Sequence, residues 1–118
     1  MISIVSSVKL PEQLHNNLIA RVIEDGYGLR GRSKWIVDAV YALFELPEFE
    51  QYVEIASGLT KCTFAVSIKM PEELAIRLDK EVIRIRKIYP EVEALKSNII
   101  RASIFQRFIR NSDGRKTS

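Results

Sequence analysis

Cysteine occurs once, at Cys62, so no intrachain disulfide can staple this 118-residue chain. Histidine also occurs once, at His15, and one Cys with one His cannot supply the ligands of an ordinary zinc site. GxSxG, CxxC and paired carboxylates with an acid–base rationale are all missing, and Gly26, Gly28 and Gly31 read as a loose turn after a helix and not as a phosphate loop. His15 has no partner that spacing would bring near it. The sequence therefore offers no catalytic residue, no metal site and no cofactor, and an enzyme is the least favoured class. No run approaches the roughly 18 apolar residues that span a bilayer. The opening MISIVSSVKLP lacks the basic start and long apolar stretch of a secretory signal. A cytoplasmic protein without a membrane partner is the expectation.

Charge is present but unevenly spread. The net charge is +3. Residues 1–46 carry five basic and five acidic groups, and Glu48, Glu50 and Glu54 follow. Residues 61–118 carry thirteen basic and seven acidic groups. The second half is electropositive, which suits a polyanionic partner but also suits an ordinary solvated surface.

The chain says one thing twice. Val8-Lys9-Leu10-Pro11-Glu12-Gln13-Leu14 returns 60 residues later as Ile68-Lys69-Met70-Pro71-Glu72-Glu73-Leu74. A fixed-period repeat dominates any fold reading. Each half is about 45 residues, a size at which a chain struggles to bury a core unaided. The halves are therefore expected to share one core within a single domain, 1–118. Repeat unit 1 (1–46) leads through a connecting segment (47–60) to repeat unit 2 (61–110). A disordered basic tail (111–118) follows.

Periodicity assigns the elements. Ile4, Ser6, Val8 and Leu10 alternate with Ser3, Val5, Ser7 and Lys9; Phe64, Val66, Ile68 and Met70 alternate with Thr63, Ala65, Ser67 and Lys69. Period two predicts half-buried strands. Two equivalent strands related by a two-fold pair antiparallel, giving a ribbon with one apolar and one small, polar face. Pro11 and Pro71 end the strands and suit first helical positions. Leu14, Leu18, Val22 and Ile23 form the stripe of one helix, and Leu74, Leu78, Val82 and Ile85 that of its counterpart. Second helices follow Ser33 and Ser97, both read as N-caps, with Trp35 and Ile99 at equivalent core places. A short connecting helix is expected over 48–56. Cys62 reads as an inert residue entering a strand and His15 as a surface side chain. Arg77, Lys80, Arg84 and Lys87 read as a solvated helix face.

A doubled strand-Pro-helix-Ser-helix chain resembles the ribbon-helix-helix (Arc/MetJ) superfamily of DNA-binding proteins. The resemblance rests on Ser7–Leu14 with Gly31-Arg32-Ser33-Lys34, and on Ser67–Leu74 with Lys96-Ser97-Asn98. It covers roughly residues 3–110. Members commonly hold one unit per chain and dimerise. Two units in one chain, with Phe44-Glu45-Leu46-Pro47-Glu48-Phe49 after the first, are similar to the fused TraY-type conjugation protein. The implied fold is mainly α with a two-stranded antiparallel β-ribbon, two tandem units forming an intramolecular pseudo-dimer.

The resemblance also implies a function. Double-stranded DNA would be the partner, with the ribbon in the major groove and Val5, Ser7, Lys9, Ala65, Ser67 and Lys69 facing the bases. Arg32, Ser33, Lys34, Lys96, Ser97 and Asn98 would meet flanking phosphates at the starts of the second helices. The role would be transcriptional repression or service at a conjugative transfer origin, with self-association on adjacent subsites. This ribbon is lightly armed, since two of the six reading positions are Val or Ala and two are Ser. Either the target is AT-rich and partly read by shape, or the first half has drifted. The alternative is a protein-interaction module on the same scaffold that has lost DNA reading.

Overall fold

The computed structural model describes the backbone of residues 2–117 and the side chains of residues 2–110, so the side chains of the tail expected over 111–118 lie outside the described residues. The chain is mainly helical with one two-stranded antiparallel sheet. The order is β1 (Ser3–Pro11), α1 (Glu12–Glu24), α2 (Arg32–Phe44), α3 (Glu50–Ala56), β2 (Cys62–Pro71), α4 (Glu72–Ile88) and α5 (Leu95–Thr117).

The alternation read from the sequence sets the faces of the ribbon. Val8, Leu10, Val66, Ile68 and Met70 are buried on its inner side. Ser7 stands opposite Ser67, Val5 opposite Lys69 and Lys9 opposite Ala65. Phe64 departs from the expected inner set and is 37% exposed. It sits at the end of the ribbon, opposite Leu10, where the register slips between Leu10 and Pro11. There its ring lies 5.2 Å from that of His15. His15 is accordingly half-buried rather than a free surface side chain.

Pro11 and Pro71 sit one place earlier than expected. Both have φ near −60° and ψ near 147°, so they cap α1 and α4 in extended geometry instead of opening them (Pro11 −60°/148°, Pro71 −60°/146°). The pyrrolidine φ suits the last strand residue as well as it suits a first helical one. Glu12, Glu72 and Glu73 then occupy first turns, where the helix dipole favours anions. The α1 stripe buries Leu14, Leu18 and Val22, while Ile23 turns out to be 50% exposed. α4 buries Leu74, Leu78 and Ile85.

α1 ends in a Schellman arrangement. The Tyr27 amide donates to the Val22 carbonyl at 3.1 Å and the Gly26 amide to Ile23 at 3.0 Å. Gly26 has φ +84°, the left-handed value that glycine adopts without penalty. The chain then folds back so tightly that Gly31 abuts Tyr27. A Cβ on Gly31 would meet the Tyr27 carbonyl oxygen, and would stand 2.6 Å from its Cβ and 2.8 Å from its carbonyl carbon. Gly31→Ala should therefore lower stability by about 1–3 kcal/mol, read as a shift in denaturant midpoint. Gly58→Ala, whose added Cβ would stand 3.4 Å from the Ile55 carbonyl oxygen, serves as the control. Equal midpoints for the two variants would show that the Gly31 turn is free to relax.

Both second helices begin earlier than their serines. The Trp35 amide bonds to the Gly31 carbonyl at 2.9 Å, which makes Gly31 the cap of α2 and puts Ser33 inside its first turn. The Asn98 amide bonds to the Ala94 carbonyl at 3.0 Å, so Ser97 lies inside the first turn of α5. The N-cap reading of both serines is thus corrected.

One hydrophobic cluster joins the two halves. Leu18, Trp35 and Leu43 belong to the same buried cluster as Ile68, Leu78, Ile99 and Ile104. α3 covers α5 through Val53 and Ala56, both buried. Arg77, Lys80, Arg84 and Lys87 are all exposed, as a solvated face requires, and the guanidinium groups of Arg77 and Arg84 lie 4.6 Å over Phe44 and 5.2 Å over Phe49. Arg84 also donates to Glu81 at 2.7 Å, and that bond raises its pKa above the ordinary arginine value.

Candidate nucleic-acid interface

The outer face of the ribbon is the most open regular surface for which the sequence makes a specific expectation. Val5, Ser7, Lys9, Ala65, Ser67 and Lys69 are all exposed on it. They form three cross-strand pairs: a valine with a lysine, a serine with a serine, and a lysine with an alanine. Neither strand carries an acidic residue. Two ammonium groups thus stand on a face that holds no opposing carboxylate of its own.

Each edge of the ribbon is pinned to a helix start, and by different chemistry. On the β2 side the Lys69 amide donates to the Ser33 hydroxyl at 3.0 Å, which ties the first turn of α2 to that edge. On the β1 side Arg101 donates from Nε to the Lys9 carbonyl at 2.8 Å and from Nη1 to the Asn98 carboxamide oxygen at 3.0 Å. Asn98 in turn donates to the Glu93 carbonyl at 2.9 Å. The edge groups of a two-stranded sheet need partners, and here the partners bring both helix starts alongside the strands.

The six residues expected at phosphates are not equally available. Arg32 and Ser33 are half-buried in the first turn of α2, and no side chain caps that helix. Lys34 is largely free, its side chain 74% exposed with a 3.7 Å ion pair to Asp38. Lys96 and Ser97 are half-buried in the first turn of α5. Asn98 is only 3% exposed and its carboxamide is spent on Glu93 and Arg101, so its side chain serves the fold. Besides the Arg32, Lys34 and Lys96 side chains, an anion at either helix start would find backbone N–H groups and the positive end of the helix dipole.

Two arginines escaped the sequence reading. Arg101 sits where the first repeat has Val37, so the repeat itself argued for an apolar residue. Arg107 falls in the helical spacing Ile100, Ser103, Ile104, Arg107 and Phe108, and a charged residue at that place was the available signal. Its guanidinium stacks 4.5 Å over Trp35 and 5.1 Å over Tyr27. It donates to the Trp35 carbonyl at 2.7 Å and to the Tyr27 hydroxyl at 2.8 Å, and Tyr27 donates on to Asp38 at 2.6 Å. The loop before α2 is thereby tied to α5, which holds the α2 start in place.

Two further concave surfaces lie away from the strands. A cleft of about 670 Å³ is lined by Glu54, Glu91 and Glu93 with Tyr89, and no residue of β1 or β2 lines it. Burial, and then the Glu54 carboxylate, pushes the Tyr89 phenol above its usual pKa. That acidic lining repels a polyanion. A smaller apolar groove of about 350 Å³ lies between α3 and α5, walled by Tyr52, Ile55, Leu59, Phe105 and Ile109. Among the described residues no three His, Cys, Asp or Glu side chains gather as a metal site, and no helix is long and apolar enough to cross a membrane. Comparison with protein-family models, with curated proteins and with solved structures found no match for this chain.

Proposed function

We propose that this protein binds double-stranded DNA sequence-specifically, laying the outer face of the β1–β2 ribbon in the major groove. The single observation behind this reading is the ribbon face itself. It is exposed and free of acidic residues, carries Lys9 and Lys69, and is flanked by the first turns of α2 and α5. A two-stranded ribbon fits the major groove and presents alternate side chains to base edges. Lysine donates to guanine, serine serves either kind of partner, and an aliphatic group meets the thymine methyl.

The same proposal includes the organisation. Residues 1–46 and 61–110 are two ribbon-helix-helix units in one chain, arranged as an intramolecular pseudo-dimer. The register supports this: positions 60 apart in sequence, Ser7 and Ser67, meet across the centre of the ribbon. The biological role is that of a transcriptional repressor or a transfer-origin accessory protein, with copies on adjacent subsites.

Selection from a random duplex pool at about 150 mM salt, which suppresses nonspecific phosphate binding, tests the reading. A short, near-palindromic motif is the expected result. If nothing is enriched and weak binding disappears on adding salt, the DNA reading falls. The apolar groove between α3 and α5 then favours the second reading, a protein-interaction module.

A further inference from the structure

The register of the ribbon allows a statement about the DNA itself, resting on the DNA-binding reading above. Val5 is 64% exposed. Its strand already supplies the core through Val8 and Leu10, and the Val5 side chain points to the opposite face. An aliphatic side chain on the solvent-facing side of the ribbon contributes nothing to the packed core. Its cross-strand partner is Lys69, whose amide is turned outward to Ser33 instead of across the ribbon. The Lys9 carbonyl likewise turns outward, to Arg101, and Lys9 stands opposite Ala65. Both are therefore pairs without mutual backbone hydrogen bonds, the class whose side chains stand closest, with Cα atoms about 4.5 Å apart. At each end of the face a lysine and an aliphatic group work side by side.

We infer that each end of the ribbon reads a guanine beside a thymine, and that the Val5–Lys69 end discriminates the thymine methyl more strongly than the Lys9–Ala65 end. Lysine reaches guanine O6 and N7, while valine or alanine touches the C5-methyl of thymine. Valine brings two methyl groups to that contact and alanine one. Residues two apart on a strand are separated by about 6.8 Å, close to two base-pair steps of about 3.4 Å. Val5 and Lys9 are four residues apart, so the two guanine–thymine elements are centred about four base pairs apart, with the Ser7–Ser67 pair between them. The target is an imperfect palindrome whose halves share composition and differ in their tolerance of a missing methyl.

The test uses the full chain and the motif enriched by selection. Deoxyuridine replaces thymine in one half at a time, which removes only the methyl group, and affinity is followed by fluorescence anisotropy. In the half read by Val5 the loss should be about three- to tenfold, roughly one buried methyl group's contribution. In the other half it should stay below about twofold. Val5→Ala should abolish the larger penalty and Ala65→Val should create one in the second half. Both positions are exposed, so neither variant disturbs the core. Equal penalties in the unaltered protein, unequal penalties that persist in Val5→Ala, or an enriched motif without thymine would each overturn the inference while leaving DNA reading intact. Failure to enrich any motif would remove both.

Discussion

Trp35→Ala should remove about 3–5 kcal/mol of folding stability, the range for deleting a buried indole. A domain of this size is stable by only about 5–15 kcal/mol, so the variant should sit near the edge of folding. The reason is the number of separate interactions that converge on one ring. Trp35 is fully buried. Its Nε1 donates to Asp25 at 2.8 Å, Arg107 stacks on its face, and Phe108 leans against it with ring centres 5.6 Å apart. The residue sits on α2, its hydrogen-bond partner follows α1, and its stacking partners are on α5. Removal opens a cavity where the first and second halves meet. Trp35→Phe separates the contributions: it keeps most of the apolar volume and loses the N–H bond to a carboxylate, at a cost of about 1.5–3 kcal/mol. Denaturant unfolding followed by circular dichroism measures both, since the chain's sole tryptophan fluorophore is gone. A loss below about 1 kcal/mol for Trp35→Ala would mean that the ring is not part of the cooperative core.

Much of this architecture was legible in the residues because it follows from periodicity. Period-two alternation placed both strands and their faces, and Leu14, Leu18, Leu74 and Leu78 placed the buried stripes of α1 and α4. The misreadings share one physical source: side chains near an element's end answer to their neighbours in space more than to the pattern. Phe64 and Ile23 continue apolar stripes to positions that the core only partly covers. Ser33 carries the chemistry of an N-cap, yet its hydroxyl accepts the Lys69 amide, a contact 36 residues away in sequence. Gly31 takes the cap because only a residue without Cβ fits against Tyr27. Arg101 and Arg107 owe their roles to the Lys9 carbonyl and to Trp35 and Tyr27, all more than 70 residues distant. No local window contains such partners. The six outward strand positions could be named in advance because a strand's alternation fixes direction. The availability of the helix-start residues could not, since Asn98 is consumed by hydrogen bonds to Glu93 and Arg101 that only the fold brings into line.

The sharpest functional expectation contrasts two basic residues on neighbouring elements. Lys69→Ala should weaken binding to the selected duplex by about 1–3 kcal/mol and relax preference at one base pair, because a base-edge contact discriminates as well as attracts. Arg32→Ala should weaken binding to all duplexes evenly and flatten the dependence of log affinity on log salt by about one unit, the signature of one lost phosphate contact. The fold permits the comparison. Lys69 is joined to α2 through its backbone amide, not its ammonium group, so truncation leaves the Ser33 bond in place. Lys9 is held in the same way, through its carbonyl by Arg101. Lys9→Ala should therefore act like Lys69→Ala at the other half of the site, and the two losses should nearly add because the residues stand at opposite ends of the ribbon. Affinity measured on the selected and on scrambled duplexes at several salt concentrations separates the cases. If Lys69→Ala lowers affinity equally for both duplexes while sequence preference survives, the lysine is a phosphate contact and the ribbon does not face the bases. If Lys69→Ala and Arg32→Ala both bind as the unaltered protein does, the groove assignment itself is wrong.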